Sequence, residues 1–198
     1  MSENLVLVNG SCNARCCHCP YASNSATACL SGEPLSYIEN VRSDLVILSG
    51  GEPFESRIDT LFNYMKACVS AGKYFRVATG GHVRLHPYLP YMKSMPRFAG
   101  IQLGTDVLLP ERNANSLRHR AIWRENLSQL NDLNIGFGIT MTVDNDVEFE
   151  PVFDLLGDVR PDFFLTNTMN DGAEDLEKLR SSLKLRYPEV KIETGYTA

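Results

Sequence analysis

The sequence predicts an α/β protein built on a parallel sheet, and three observations carry that expectation. Apolar, β-branched runs alternate with helical patterns along the chain, as successive βα units require. The 198 residues suffice for one domain with a full core, so residues 1–198 are read as a single domain. Two motifs rich in chemistry each follow directly on a predicted strand.

The predicted strands are 4–8, 44–48, 74–78, 99–103, 135–142 and 162–166. The predicted helices lie near 36–42, 56–71, 86–95, 115–132, 147–156 and 173–185. The first strand rests on Leu5-Val-Leu-Val8 and the second on Leu45-Val-Ile-Leu48, short apolar runs suited to a buried parallel strand. The helix at 56–71 is the clearest, because Ile58, Leu61, Phe62, Met65 and Val69 recur at helical spacing. Ser56 with Asp59 resembles a capping box, and Gly72 can supply the left-handed residue that ends the helix. Trp123, Leu127 and Leu130 form a similar stripe at 115–132. Val190-Lys-Ile192 is short enough for an added edge strand, and residues 20–35 read as a loop of small residues.

Hydrophobic residues make up 43% and charged residues 22%, ordinary for a globular chain. No apolar run approaches the ~20 residues of a membrane helix. The N-terminus has no basic region followed by an apolar one, so no secretory signal is visible. A net charge of −5 gives no support to a nucleic-acid reader. Four of the six cysteines crowd into residues 12–19. A disulfide framework would spread them out. Clustering without an export signal reads as metal binding in a reducing, cytoplasmic compartment.

The cysteine segment is Cys12-Asn-Ala-Arg-Cys16-Cys-His-Cys19. Three thiolates in the pattern C-x3-C-x2-C can ligate three irons of a 4Fe-4S cluster and leave the fourth open, where electron carriers usually supply four thiolates. Zinc is the alternative for such donors, but it needs a fourth ligand, and no second Cys/His pair at short spacing is present. Cys17 falls outside the spacing and reads as a spectator thiol. The second motif is Ser49-Gly50-Gly51-Glu52-Pro53, closing the second strand. Its glycines allow close backbone approach; a plain turn is the alternative reading.

The two motifs, in this order and each after a strand, resemble those of the radical S-adenosylmethionine (radical SAM) superfamily. The family typically shows Cys-Asn-x-x-Cys-x-aromatic-Cys, with His18 here in the aromatic place, and Ser-Gly-Gly-Glu-Pro. The resemblance implies a partial (β/α)6 TIM-like barrel, with the chemistry at the C-terminal ends of the strands. Ending at Ala198 soon after a sixth unit, the chain is expected to be a minimal core without a cysteine-rich extension.

The resemblance also implies site roles. Cys12, Cys16 and Cys19 would hold the 4Fe-4S cluster. Gly50, Gly51 and Glu52 would bind the methionine end of SAM, and His18 would lie near its adenine, unless it is an ordinary loop histidine. Thr79, in Thr79-Gly80-Gly81, would line the SAM pocket or merely make a turn. Relatives often end the fourth strand Ser-x-Asp; here Gly104 takes the serine place, Asp106 matches the aspartate, and Thr105 offers a hydroxyl. Thr140 and Thr142 share one strand face and, with Asn145, face the barrel mouth or sit as satisfied interior groups. Cys29, in the loop after the cluster segment, is the candidate hydrogen-atom donor. Cys68 reads better as packing.

The implied activity is reductive cleavage of SAM at the cluster to a 5′-deoxyadenosyl radical, which abstracts a hydrogen atom from a peptide or a small natural-product precursor. Implied partners are a low-potential donor, flavodoxin or ferredoxin, and a peptide inserted from the side or a small metabolite enclosed by a homodimer. Alternatives within the family are a glycyl-radical-enzyme activase and a deazapurine-type small-molecule enzyme. The alternative outside it is a non-catalytic zinc or iron–sulfur module.

Overall fold

The computed structural model describes residues 5–17, 19, 34–143, 148–168 and 173–194. Seven strands form one sheet: β1 Leu5–Asn9, β2 Leu45–Gly50, β3 Tyr74–Thr79, β4 Phe98–Gly104, β5 Phe137–Val143, β6 Phe163–Thr168 and β7 Lys191–Thr194. Their spatial order follows the chain, and every neighbouring pair is parallel. The intervening helices are α1 Pro34–Asn40, α2 Ile58–Ser70, α3 Leu89–Ser94, α4 Ser116–Asp132, α5 Glu150–Leu156 and α6 Ala173–Arg186. The fold is the expected α/β partial barrel of six βα units, with β7 added at the edge where a short strand was anticipated.

Alternation along the strands divides the sheet into two faces. Val46, Leu48, Phe75, Val77, Ile101, Leu103, Ile139, Met141 and Phe164 occupy one face and are wholly or almost wholly buried. They share one core with Leu61 and Met65 of α2 and with Trp123, Leu127 and Leu130 of α4. The opposite face is the inside of the barrel, and it is more polar. Near its N-terminal end the Phe163 ring presses on Gly138, where a Cβ would lie 2.1 Å from the ring. The Arg76 guanidinium sits 4.3 Å from that ring's centroid, so a cation–π contact closes this end.

Two expectations about α2 need correction. Ser56 does not cap it. A 3-10 turn over Pro53–Glu55 comes first, and the Ser56 hydroxyl donates back to the Pro53 carbonyl at 2.5 Å. Arg57 holds the N-cap position without a side-chain bond. Ile58 lies on the exposed side, at 50%, because that turn starts the helix later than the apolar pattern suggests. Its C-terminus behaves as expected. Gly72 has φ of 72°, its N–H donates to Val69 O at 3.0 Å, and Lys73 N–H donates to Cys68 O at 2.9 Å, which is a Schellman motif. Cys68 is fully buried in the core.

Candidate functional site

The ends of β1 and β2 are joined by their backbones. Gly51 N–H donates to Asn9 O at 3.0 Å and Glu52 N–H to Ser11 O at 2.7 Å. The Asn9 side-chain amide donates to Glu52 O at 2.8 Å. A Cβ on Gly50 would stand 2.3 Å from Asn9 O, and one on Gly51 would stand 1.9 Å from Ser11 O. The paired glycines therefore let the second motif lie directly against the start of the cysteine loop. Gly50 packs on Asn9, whereas Gly51 and Glu52 reach the cavity described below.

Glu52 is buried, and its carboxylate is committed within the protein. It accepts from Phe54 N–H at 3.2 Å, Thr79 Oγ1–H at 2.8 Å and Gly80 N–H at 3.0 Å. Burial pushes this carboxyl up, and His82 together with those donors opposes the shift. Thr79 Oγ1 in turn accepts from Gly81 N–H at 3.0 Å. Thr79 thus lines the cavity, and its hydroxyl holds the turn. The turn is fixed from behind by α4. Trp123 fills the space beside Gly81, and the Asn126 amide donates to Gly81 O at 2.9 Å and Val83 O at 2.8 Å.

His82 and Glu55 were not singled out from the sequence. His82 Nε2 lies 3.1 Å from Glu55 Oε1, and Glu55 Oε2 accepts from Asn13 N–H at 2.8 Å. Glu55 therefore ties the cysteine loop to His82. Burial disfavours charge on His82, but hydrogen bonds to Cys12 and Glu55 and the Glu52 carboxylate outweigh it and push the imidazole up to about 10. The available hint was a histidine directly after the Gly80-Gly81 strand end; Glu55 gave none beyond its nearness to Glu52.

Cys12, Cys16 and Cys19 line one cavity. Ala14 and Cys16 point inward and are buried, while Asn13, Arg15 and Cys17 are exposed. Arg15 makes this alternation with φ of 57°. Burial pushes the Cys16 thiol up to about 12. Cys17 does not line the cavity; its thiol donates to Glu111 O at 3.8 Å.

The segment after β4 supplies the far wall of the loop. Asp106 lines the cavity and pairs with the buried Arg112. Arg112 O accepts from Cys17 N–H at 3.0 Å. The Asn113 amide reaches Ala14 O and Cys16 Sγ. Thr105 is fully buried, and its N–H and hydroxyl both donate to Thr140 O. That hydroxyl is turned away from the cavity, contrary to expectation, because it terminates the β4–β5 pairing.

The cavity measures about 410 Å³. Gln102, Thr140, Thr142 and Asn167 of β4, β5 and β6 line it opposite the thiols, and Gln102 donates to Thr140 Oγ1 at 2.9 Å. Its acidic groups are internally matched, Glu52 beside His82 and Asp106 on Arg112. His18, Cys29 and Asn145 lie outside the described residues.

The donor set can be tested against the two metal chemistries. Ligand bonds of 2.0–2.3 Å to a single zinc hold donor atoms within about 4.6 Å of one another. Among the described residues Cys12, Glu55 and His82 form the group that comes near that limit, their donor atoms within 4.8 Å of one another; Cys12, Cys16 and Cys19 are spread more widely. Three thiols around one cavity, with no fourth cysteine lining it among the described residues, fit a multinuclear thiolate centre with one open corner.

This architecture is an α/β partial barrel whose mouth holds a three-thiol loop against a Gly-Gly-Glu strand end. No protein-family model and no curated protein matches the chain. Solved structures do. SuiB of Streptococcus suis bound to S-adenosylmethionine is similar with a TM-score of 0.70 at 14% identity, over 97% of this chain and 50% of that one. SuiB alone gives 0.69 at 15%, over 97% and 49%. SuiB bound to its precursor peptide SuiA gives 0.65 at 12%, over 97% and 48%. At these identities the likeness is one of fold, and the chain spans about half the length of the SuiB structures. No helix among the described residues is long and apolar enough to cross a membrane.

Proposed function

We propose that this chain is a radical SAM enzyme. The observation that carries the reading is the single cavity bringing Cys12, Cys16 and Cys19 together with Gly51 and Glu52. Bound there, a 4Fe-4S cluster and SAM would supply one-electron cleavage to a 5′-deoxyadenosyl radical. Cys12, Cys16 and Cys19 would hold the cluster. The Gly51 carbonyl would receive the SAM ammonium, since the Glu52 side chain is already engaged by Phe54, Thr79 and Gly80 and the Glu52 carbonyl by Asn9 and Glu55. Thr142 and Asp106 would face the nucleoside, with Asp106 held by Arg112.

The substrate is read as a peptide or small natural-product precursor. The wall made by Gln102, Thr140, Thr142 and Asn167 offers amides and hydroxyls rather than charges, which suits an uncharged, amide-bearing group better than a carboxylate or phosphate. SuiB, similar in fold, is known bound to a precursor peptide. The electron would come from a low-potential flavodoxin or ferredoxin, with exposed Arg15 at the cluster edge as a docking charge.

The test is a turnover assay under anaerobic conditions with dithionite and SAM. Formation of 5′-deoxyadenosine dependent on all three cysteines supports the reading; its absence from protein fully loaded with iron and sulfide refutes it. The Cys12–Glu55–His82 group supports a second reading, a zinc module, for which anaerobic purification would yield stoichiometric zinc and no iron.

A further inference from the structure

Two buried side chains outside the cysteine loop approach its thiols: a His82 nitrogen lies within 4.8 Å of Cys12 Sγ, and the Asn113 amide donates to Cys16 Sγ. Asn113 is 2% exposed and stands apart from the Cys12–Glu55–His82 group. Its Nδ2 donates to Ala14 O at 2.7 Å and to Cys16 Sγ at 3.3 Å. Its Oδ1 accepts from Asn115 N–H at 2.8 Å. These partners fix the amide's orientation. A flipped amide would set Oδ1 against the Ala14 carbonyl and NH2 against the Asn115 N–H. Asn113 is itself anchored, its N–H donating to Leu109 O at 2.9 Å.

We infer that Asn113 is a positioning residue that holds Cys16 and sets the redox poise of the iron–sulfur centre through its N–H···S bond. The inference rests on the cluster reading above. Reduction adds one electron from the external donor to the centre and makes the ligating sulfurs more negative. A donor aimed at one of them stabilises the reduced state more than the oxidised one and raises the potential. Cys16 is buried, so the amide acts with little competition from water. The Ala14 bond keeps the donor in place when the sulfur is metal-bound.

The experiment compares the wild-type chain with Asn113→Asp and Asn113→Ser, each reconstituted anaerobically. Asp is nearly isosteric but cannot donate; Ser is too short to reach the sulfur. Iron and sulfide per chain report loading, and EPR-monitored titration reports the midpoint potential. The expected result is near-wild-type loading with reduction disfavoured about tenfold, which is 59 mV for one electron. An unchanged potential in a loaded variant overturns the inference. So does loss of the centre from both variants, which would leave Asn113 a loop clamp without a redox role. Failure of the wild-type chain to take up iron would refute the cluster reading instead.

Discussion

Replacing Gly51 by alanine places a Cβ 1.9 Å from Ser11 O, 2.4 Å from Ser11 C and 2.7 Å from Ser11 N. All three are backbone atoms, so no side chain can swing aside. Ordinary contact begins at 3.4 Å, and the two segments must part by about 1.5 Å at the oxygen, the difference of those distances. That separation breaks the Gly51–Asn9 and Glu52–Ser11 hydrogen bonds. Two such bonds contribute about 1 kcal/mol each, and the overpacking adds about 1–3 kcal/mol. The total of roughly 3–5 kcal/mol corresponds to a fall in Tm of about 6–20 °C for a chain of this size. Gly72→Ala is the control, since nothing lies within 4 Å of its added Cβ and only the left-handed φ costs about 1–2 kcal/mol. Thermal unfolding of the apo-chain reads the stability; iron per chain after reconstitution reads the cysteine loop. Gly51→Ala should lose on both and Gly72→Ala should keep its iron. Gly51→Ala with wild-type Tm and full iron would refute the argument that close approach explains this glycine.

Single changes Cys12→Ala, Cys16→Ala and Cys19→Ala should each abolish stable iron binding, while Cys17→Ala and Cys68→Ala retain it; iron and sulfide analysis decides. Asp106→Asn leaves the buried Arg112 without its counter-charge and should cost on the order of 2 kcal/mol in urea unfolding, below the ~3–5 kcal/mol of a fully buried pair because Asp106 is partly exposed. An unchanged urea midpoint would count against that pairing. His82 is raised from 6.5 to about 10 in the folded chain, so its contribution is complete below pH 6.5 and is lost as pH rises through about 10. Apo-chain stability should therefore fall across that window, by no more than about 1.4 kcal/mol per pH unit from this group. His82→Gln should flatten the profile; an identical slope would remove His82 as the cause.

The element pattern was legible because parallel strands buried on a helix-covered face are continuous apolar runs. Leu45-Val-Ile-Leu48 and the Trp123–Leu127–Leu130 stripe needed no tertiary information. Where tertiary contacts decide, the reading went astray. Ser56 looked like a helix cap, but Pro53 opens a turn that claims its hydroxyl. Thr105 looked available, but the end of the β4–β5 ladder takes its donors. The thiols and the Gly-Gly-Glu segment were legible from spacing, although the steric reason for the glycines, the Asn9–Ser11 backbone, was not. Glu55, His82 and Asn113 were missed because each acts across 27 to 99 residues of sequence separation, and no local pattern marks a contact of that kind; the Arg112 side chain pairs locally with Asp106, but its carbonyl meets Cys17 N–H from far along the chain. Asn113 sits in a polar stretch, Glu111-Arg-Asn-Ala-Asn115, that reads as an ordinary loop.

The central claim is that the three thiols and the Gly51–Glu52 strand end serve one cavity. The most direct test is the EPR spectrum of the dithionite-reduced, anaerobically reconstituted chain before and after SAM is added. The account predicts a reduced cluster signal that shifts with SAM in the wild-type chain and shifts less in Gly51→Ala when that variant is compared at equal iron content. A cluster spectrum that SAM leaves unchanged in the wild-type chain would contradict it.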